Sequence, residues 1–441
     1  MCSIDGPPLK RLLPQPLTPT DPLPIYLDHN ATTPLCPEAW EAMQAVVSST
    51  WGNPSSAHPY GMAAKFALEQ ARAKVAAAIG AGNPETIVFT SGGTESNNMA
   101  IIGGMVALRS RCPDRCNIIT TCAEHPAVEE VISYLEKESH GDHRGDHFAR
   151  VVAHRFPVSP KTGCVSVDEW RKLLLALPGG PRSVGMVSVM HANNEIGAVN
   201  PVREIVKVVK ELCGHEALFH TDAAQSVGKV PVDVDAMQVD MLSLCSHKFY
   251  GPKGVGALYV KKDVQLQNIL FGAGHEGGLR PGTENVLLVT GMAEALRVAC
   301  SQIDVHASQM RATRDELLRV MKEELQKANM SFVINGDINC ALPNTLSIAL
   351  YRSDGNGRRK YISAHAVIQV VGNKVCMSSG AACHAGEEHV DVSASLRSVG
   401  VESDRALGTL RLTTGRSTTI AEARRAARII VRQAAQQLGE V

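Results

Sequence analysis

Residues 241–254 read MLSLCSHKFYGPKG and place a lysine between an apolar segment and a glycine-containing turn. The segment MLSLCS (241–246) has the length and composition of a buried strand, and Lys248 follows it closely. A lysine held against apolar side chains can lose its proton and form a Schiff base with a carbonyl group. An ordinary lysine in a surface loop is the alternative, and this stretch alone leaves both open.

Similar apolar segments precede this one along the chain. Four of them predict strands: TIVFT (86–90), NIITTC (117–122), SVGMVSVM (183–190) and ALFHTD (217–222). Helical stretches such as PVREIVKVVKELC (201–213) lie between them. Short apolar strands that alternate with helices predict an α/β domain with a mixed, mostly parallel sheet that is covered on both faces.

The pattern changes in the C-terminal third. A long charged helix (311–328), the strand TLSIAL (345–350) and a terminal helix (420–438) predict a smaller α+β domain. We therefore expect a disordered proline-rich tail over 1–24, a large domain over 25–290 whose first residues could join the small domain, and a small C-terminal domain over 291–441.

The composition limits the classes of function. Among 441 residues, Lys+Arg and Asp+Glu both number 44, which gives no overall field for nucleic acid or an anionic membrane. No apolar run reaches the roughly 18 residues that a membrane span needs. Twelve scattered cysteines indicate reduced thiols, and the first residues lack the apolar core of a secretory signal. We expect a cytoplasmic protein, with the nucleus and the mitochondrion left open.

The segment SGGTESNN (91–98) follows a predicted strand, and an apolar helix is expected to begin after it, at Met99. Gly93 would let backbone N–H groups approach an anion, and Thr94 adds a hydroxyl. No lysine follows the glycines, so the segment is not a Walker-type loop. We predict a phosphate cup, and a strand-to-helix turn capped by Ser and Thr is the alternative.

Two further side chains with cofactor chemistry follow predicted strands. Asp222, in HTDAAQ (220–225), could pair with a protonated pyridine nitrogen, or it could be a helix N-cap. His125, in CAEHPA (122–127), could stack on a flat ring and shuttle protons, or it could be a hydrogen-bonded loop histidine. Ligands gather outside the carboxyl ends of strands in open α/β sheets, so both positions favour a site there.

A zinc site is a further alternative, because Cys112, Cys116, Cys122 and His125 are close in sequence. The C-x3-C spacing fits a zinc knuckle only loosely, and Cys122 is expected to be buried in a strand. We therefore expect no metal.

The C-terminal part contributes two candidates. Cys383 lies in the small-residue loop SSGAACHAGEE (378–388), where a mobile thiol could reach a substrate and His384 could lower its pKa. A free surface thiol is the alternative. Arg411, in LRLTTGR (410–416), could bind a carboxylate through two hydrogen bonds, or it could form a structural salt bridge.

The ordered set of motifs resembles the cysteine desulfurase and selenocysteine lyase group of the class-V aminotransferases. The resemblance extends from about Tyr26 to about Ala426 and rests on ten segments: DHNATTP, GNPSSAH, SGGTESNN, AEHPAV, NNEIG, HTDAAQ, SHKFYGPKGVGALYV, RPGTEN, SSGAACH and LRLTTGRSTT. It implies the pyridoxal-phosphate-dependent transferase fold of type I, pyridoxal 5'-phosphate as cofactor, a homodimer, and an amino-acid substrate.

The resemblance also assigns roles to single residues. Lys248 matches the Schiff-base lysine, His125 the histidine that stacks on the ring, and Cys383 the cysteine that receives the chalcogen. The remaining matches are Asp222 for the pyridine nitrogen, Gln225 and Asn194 for the ring oxygen, Gly93, Thr94 and His247 for the phosphate, Thr283 for the phosphate of the other subunit, and Arg411, with Asn194 nearby, for the substrate.

Two departures matter: one weakens or removes a hydrogen bond to the phosphate, and the other concerns the substrate. Cys245 stands where many members have a phosphate-contacting serine, and Pro126 stands where selenium-specific animal lyases have an aspartate. The segments AACH, HTDAAQ, HKFYGP and GRSTT are similar to the lyase versions. We expect release of selenium from L-selenocysteine with L-alanine as the other product, and cysteine desulfuration with a protein persulfide is the alternative. A selenium or sulfur acceptor protein would be the partner.

Two other classes of function stay open. Another type I enzyme, such as an aminotransferase, would give a keto acid as product. A silent scaffold that binds the cofactor or a sulfur acceptor would have no need for Lys248, Asp222, His125 and Cys383 together.

Overall fold

The structure is a computed structural model that describes residues 23–138, 151–382 and 391–439. Strands and helices alternate up to about residue 260, and antiparallel pairs prevail after residue 330. The strands are β1 (Ile25–Tyr26), β2 (Ile87–Thr90), β3 (Asn117–Thr121), β4 (Val152–Phe156), β5 (Val184–Ser188), β6 (Leu218–Asp222), β7 (Met241–Cys245), β8 (Gly256–Val260), β9 (Ser331–Ile334), β10 (Thr345–Ser353), β11 (Arg359–Tyr361), β12 (Val375–Cys376), β13 (Ser378–Ser379), β14 (Ala381–Ala382), β15 (Asp391–Val392) and β16 (Thr409–Thr413).

Helices pack against both of the larger sheets. They are α1 (Pro37–Ser49), α2 (Pro59–Ala78), α3 (Gly93–Asn98), α4 (Gly104–Arg109), α5 (Pro126–Glu138), α6 (Val167–Leu175), α7 (Val202–Cys213), α8 (Val234–Met237), α9 (Val286–Ser301), α10 (Ile303–Lys327), α11 (Ala364–Val371), α12 (Ala394–Ser398), α13 (Ser403–Leu407) and α14 (Ile420–Gln437). Short 3₁₀ turns lie at Pro84–Thr86, Pro181–Ser183, Ser246–Lys248 and Glu276–Gly278, and a π-helical turn lies at Met99–Gly103.

The larger sheet has seven strands in the order β2-β8-β7-β6-β5-β3-β4. Strands β3 to β7 pair in parallel, and β8 is antiparallel to both of its neighbours. Strands β3, β5, β6 and β7 are buried along their whole length, which explains why they are continuous apolar runs rather than alternating ones. The prediction of a mixed, mostly parallel sheet is confirmed.

Helices α1, α2 and α9 pack together beside this sheet, and α6 packs against α7. The core between helices and sheet contains the large, fully buried side chains of Trp170, Phe219 and Phe249. This packing holds the loops at the carboxyl ends of β5, β6 and β7 in place, because each of these strands is anchored on both faces.

The second sheet is antiparallel, with the order β11-β10-β16-β13 and β9 also paired with β10. Helices α10 and α14 pack together over a separate core that includes Leu317, Ile348 and Leu412. Strand β1 pairs in parallel with β12, so the first described residues lie beside the C-terminal part of the chain. The predicted domain limits at residues 24 and 290 stay predictions.

One helix begins earlier than expected. The apolar helix predicted to begin at Met99 begins at Gly93, so the expected start was wrong. Ser and Asn are weak formers of helix interiors, which is why TESNN did not predict a helix. Here tertiary contacts use these side chains: Ser96 Oγ lies 2.8 Å from Thr90 Oγ1, and Asn97 Nδ2 donates to Asp222 Oδ2 at 2.9 Å.

Among the described residues, no helix by itself has the length and apolar content to cross a membrane. Helices α9 and α10 meet this test only as a pair, across a bend of 76°.

Candidate active site

A cavity of about 410 Å³ opens at the carboxyl ends of the parallel strands. Its lining comes from the segments that follow β2, β3, β5, β6 and β7, together with Asn30, Ala31 and Arg411. Parallel strands deliver these segments to one edge of the sheet, which is where such folds bind ligands. The predicted residues that line the cavity are Gly93, Thr94, His125, Asn194, Asp222, Gln225, His247, Lys248 and Arg411.

Lys248 ends the 3₁₀ turn that follows β7. Its Nζ donates hydrogen bonds to the backbone oxygens of Asn30 at 2.7 Å and Ala31 at 2.8 Å. Burial lowers the pKa of Lys248, and the charge on Arg411 acts in the same direction. The amine is therefore easier to deprotonate than an exposed lysine, as covalent chemistry at a carbonyl group requires.

Asp222 ends β6 and is 8% exposed. Its Oδ2 accepts from Asn97 Nδ2, and its Oδ1 accepts from the Ala224 N–H at 2.9 Å. A turn follows Asp222, so the alternative of a helix N-cap is not what the structure has. Within the described ranges this carboxylate has no ion-pair partner, although it lines the cavity. A cationic group on a bound ligand would provide the positive charge that the Asp222 carboxylate lacks as a partner.

His125 precedes α5 and is exposed toward the cavity. Its Nδ1 accepts a hydrogen bond from the Ala127 N–H at 3.1 Å, which leaves Nε2 as the protonated nitrogen of the neutral ring. Desolvation by the surrounding residues lowers the pKa of His125, and the charge on Lys248 adds to this effect. A neutral imidazole at this position can face a flat ring and exchange a proton.

The part of the cavity wall at Gly93 and Thr94 suits an anion. Helix α3 begins at Gly93 and continues without a break through the π turn into α4, so its first N–H groups have no partner inside the helix. There is little space for a side chain at position 93, because a Cβ added to Gly93 would lie 3.3 Å from the Cβ of Cys245. His247 Nδ1 lies 3.1 Å from Thr32 Oγ1, and burial lowers the pKa of His247 to about 4, so its ring is neutral.

Gln225 and Asn194 also line the cavity. Gln225 Nε2 donates to Asn30 O at 2.9 Å, next to the bond from Lys248. The Asn194 loop is held by Asn193, whose Oδ1 accepts from the backbone N–H of Glu195 at 2.8 Å and of Ile196 at 2.9 Å.

Arg411 points into the same cavity from β16. It forms an ion pair with Asp28 at 2.9 Å and donates to Ser378 Oγ at 3.0 Å and to Asn194 O at 3.2 Å. The predicted alternative of a structural salt bridge is therefore present together with access to the cavity. The Arg411 Nε is buried without a partner among the described residues, so it could still donate to a bound carboxylate.

Two predicted site residues, Cys383 and Thr283, are not among the described residues that line the cavity. Cys383 falls outside the described residues. Thr283 is exposed on the segment before α9 and does not line the cavity, and its predicted contact with another subunit stays a prediction. No group of three or more His, Cys, Asp or Glu side chains suited to a metal occurs in the described ranges.

Sequence reasoning assigned no role to several residues that organise the site. Asp28 and Asn30 belong to DHNATTP, Asn97 belongs to SGGTESNN, and Lys229 lies four residues after Gln225. The first three stand in motifs that were noticed, but their partners are distant in sequence. Only the spacing of Gln225 and Lys229 could have pointed to a contact.

These residues fit pyridoxal phosphate. The unpaired buried carboxylate of Asp222 suits a protonated ring nitrogen, and the Lys248 amine suits an aldehyde. The helix start at Gly93 suits a phosphate.

Comparison with known proteins agrees with this fit. The aminotransferase class-V family model matches residues 25–424. The chain is 38% identical to a protein of Dictyoglomus turgidum named cysteine desulfurase IscS, over 90% of both chains. It is 37% identical to a cysteine desulfurase of Sinorhizobium fredii, over 88% of this chain and 90% of that protein. A solved structure titled NifS-like protein superposes with a TM-score of 0.78 at 30% identity, over 95% of this chain and 100% of that one. The chain therefore belongs to the aminotransferase class-V family, has its type I fold, and is a pyridoxal-phosphate-dependent enzyme.

Proposed function

We propose that this enzyme is a cysteine desulfurase, which converts L-cysteine to L-alanine and keeps the sulfur as a persulfide on Cys383. The observation that carries the proposal is the convergence of Lys248, Asp222, His125 and Arg411 on one cavity. The names of the relatives at 37–38% identity support it, because they cover about nine tenths of this chain.

At the cofactor, Lys248 would hold the aldehyde carbon and Asp222 the ring nitrogen, while His125 would cover the ring. The other proposed contacts are Gln225 and Asn194 to the ring oxygen, Gly93, Thr94 and His247 to the phosphate, and Thr283 of the partner subunit to the same phosphate.

The bound cofactor supplies an electron sink for the negative charge that develops on the substrate Cα. Lys248 would take the Cα proton, and its lowered pKa favours the free amine that this step needs. Arg411 would hold the substrate carboxylate while Asp28 keeps the guanidinium in place through their 2.9 Å contact.

Sulfur transfer would follow at Cys383. Its thiolate attacks the substrate sulfur, the C–S bond breaks, and the carbon skeleton gains a proton to become alanine. The two thiols of cysteine and Cys383 thereby become one persulfide, so no external oxidant or reductant is required. A protein that accepts this sulfur would complete the cycle.

The experiment that tests the proposal uses two variants. Lys248→Ala should lose the yellow absorbance of the bound cofactor and all turnover, and borohydride should fix the cofactor onto Lys248 of the parent. Cys383→Ser should keep the absorbance but lose sulfide release. Parent-level alanine formation from Lys248→Ala would refute the role of the lysine, and unchanged sulfide release from Cys383→Ser would refute that of the thiol.

Selenocysteine lyase activity is the second candidate. The similarity of AACH, HTDAAQ, HKFYGP and GRSTT to lyase sequences supports it, whereas Pro126 in place of an aspartate argues against it. Side-by-side kinetics on L-cysteine and L-selenocysteine, with alanine as the measured product, would decide between the two substrates. A keto acid as product would instead indicate an aminotransferase, and no product at all a silent scaffold.

We also propose a homodimer. Large apolar side chains on and around α2 are exposed, among them Trp51 at 69%, Met62 at 63% and Phe66 at 67%, and Phe271 is 83% exposed. Such a patch favours a partner surface. In a mixture of Lys248→Ala and Thr283→Ala subunits, one of the two sites in each mixed dimer would have both residues intact. Activity of the mixture above that of the two separate variants supports the proposal. A mixture that is no more active than the sum of the separate variants contradicts it.

A reducing compartment such as the cytoplasm fits this chemistry, because ten cysteines of the described ranges are free thiols.

A further inference from the structure

A buried lysine lies behind the cavity without lining it. Lys229 follows β6 by seven residues and is 4% exposed. Its Nζ donates to Gln225 Oε1 at 2.8 Å and to Asn30 Oδ1 at 3.2 Å. Within the part of the chain that the structure describes, these two amide oxygens are its hydrogen-bond partners, and no carboxylate pairs with it.

The chemistry of an amine determines how both amides are oriented. A lysine amine carries at least two N–H donors whether it is charged or neutral, whereas an amide side chain can present either oxygen or NH₂ in nearly the same space. Both partners of Lys229 are amide oxygens, and Asn344 Nδ2 also donates to Asn30 Oδ1, at 3.0 Å, so the NH₂ groups of Gln225 and Asn30 face the other way. Gln225 Nε2 then donates to Asn30 O at 2.9 Å, at the wall of the cavity.

Asn30 extends this order to the rest of the site. Its Nδ2 donates to Thr345 Oγ1 at 2.9 Å and to Asn194 O at 3.2 Å. Its backbone oxygen accepts from Lys248 Nζ at 2.7 Å and from Gln225 Nε2. A change in the orientation of the Asn30 side chain would therefore disturb the Asn194 loop, next to the backbone oxygen that holds Lys248.

Packing alone does not explain a lysine at this position. Burial lowers the pKa of Lys229 well below its usual range, and the charges on Lys248 and Arg411 act in the same direction. An amine buried beside other cations destabilises the fold relative to an apolar side chain of equal length. The presence of an amine is instead explained by the N–H donors that it offers to Gln225 and Asn30.

We infer that Lys229 is a positioning residue for the reaction: by holding the side-chain oxygen of Gln225, it makes Gln225 present an N–H donor to the cofactor's ring oxygen, and with Asn344 it holds the side chain of Asn30. This inference rests on the proposed function, in which Gln225 contacts that oxygen. Lys229 itself does not line the cavity.

The test is a pH titration of the absorbance of the bound cofactor in the full-length holoenzyme. A donor to the ring oxygen stabilises its ionised form, so loss of that donor should make the Lys248–cofactor linkage bind its proton more tightly. In Lys229→Met the pH midpoint should rise by about one unit, and kcat should fall about tenfold with a smaller change in KM. In a Gln225→Met background, Lys229→Met should add little further shift, because both act through one hydrogen bond.

Lys210→Met is the matched control. Lys210 is also largely buried, and its Nζ donates to Asp240 Oδ2 at 2.5 Å beside the amino end of β7, away from the cavity. Lys210→Met should lower the thermal stability of the protein and leave the pH midpoint of the cofactor absorbance unchanged. If Lys229→Met also loses stability but keeps the parent midpoint, the inference is overturned and Lys229 is only structural.

A second variant covers the case in which Lys229→Met does not fold. Lys229→Gln keeps an NH₂ group as donor on a shorter side chain, so a smaller shift in the same direction supports the inference, and no shift overturns it. Failure of the proposed function would appear differently, as absence of cysteine-dependent alanine from the parent enzyme, and it would leave the absorbance comparison valid.

Discussion

Glu276→Gln is expected to destabilise the protein far more than Glu211→Gln, although the two carboxylates bind arginine with the same geometry. Both oxygens of Glu276 accept from Arg72 at 2.7 Å, and both oxygens of Glu211 accept from Arg171 at 2.7 Å. The difference is exposure: the side chains of Arg72 and Glu276 are 9% and 2% exposed, against 37% and 51% for Arg171 and Glu211.

The magnitude follows from what Glu276→Gln leaves behind. Arg72 would remain charged and largely buried, with Glu69 Oε2 at 3.3 Å, Ile87 O at 2.6 Å and the Phe89 ring at 4.8 Å as its remaining contacts. Removal of one partner of a buried pair costs about 3–5 kcal/mol. We expect about 3 kcal/mol, because the half-exposed Glu69 still pairs with Arg72 and the new amide side chain keeps one acceptor for the Arg72 guanidinium or the Phe89 N–H. The exposed pair is screened by water, so Glu211→Gln should leave stability unchanged.

The free energy of unfolding of the parent and both variants would be measured by urea denaturation followed by circular dichroism. Equal effects of the two substitutions would refute the argument that burial, rather than hydrogen-bond geometry, decides the strength of these pairs. An unchanged urea midpoint for Glu276→Gln would have the same meaning.

Three further predictions concern the site and pH. Asp222→Asn should keep the cofactor on Lys248 but lose at least about a hundredfold in kcat, because the ring nitrogen loses its charged partner; cofactor absorbance and steady-state kinetics check this. Cys245→Ser should tighten cofactor binding by up to about tenfold by adding a stronger donor at the phosphate end, which a dissociation assay measures; weaker binding would contradict it. Burial lowers the pKa of His191 and His220 to about 4. The unfolded chain therefore binds more protons between pH 6.5 and 4, so the free energy of unfolding should fall as pH drops through this window.

Much of the fold could be predicted because its signals are local. The predicted strand at 241–246 is observed as Met241–Cys245, and that at 217–222 as Leu218–Asp222, since each apolar run is buried on both faces. The early start of α3 was not predictable in the same way. Its Ser and Asn side chains become favourable only through Thr90 and Asp222, which lie on separate strands.

The sequence by itself determined which residues could do the chemistry and at which end of the sheet they would lie. Lys248, Asp222 and His125 follow strands, and parallel strands bring their carboxyl ends to one edge. Only the tertiary structure decided what holds these groups: Asn30 lies 218 positions from Lys248, and Asp28 lies 383 positions from Arg411. Hydrogen bonds act over about 3 Å of space regardless of separation along the chain, so no local pattern could have revealed these partners or the orientation that Lys229 gives to two amides.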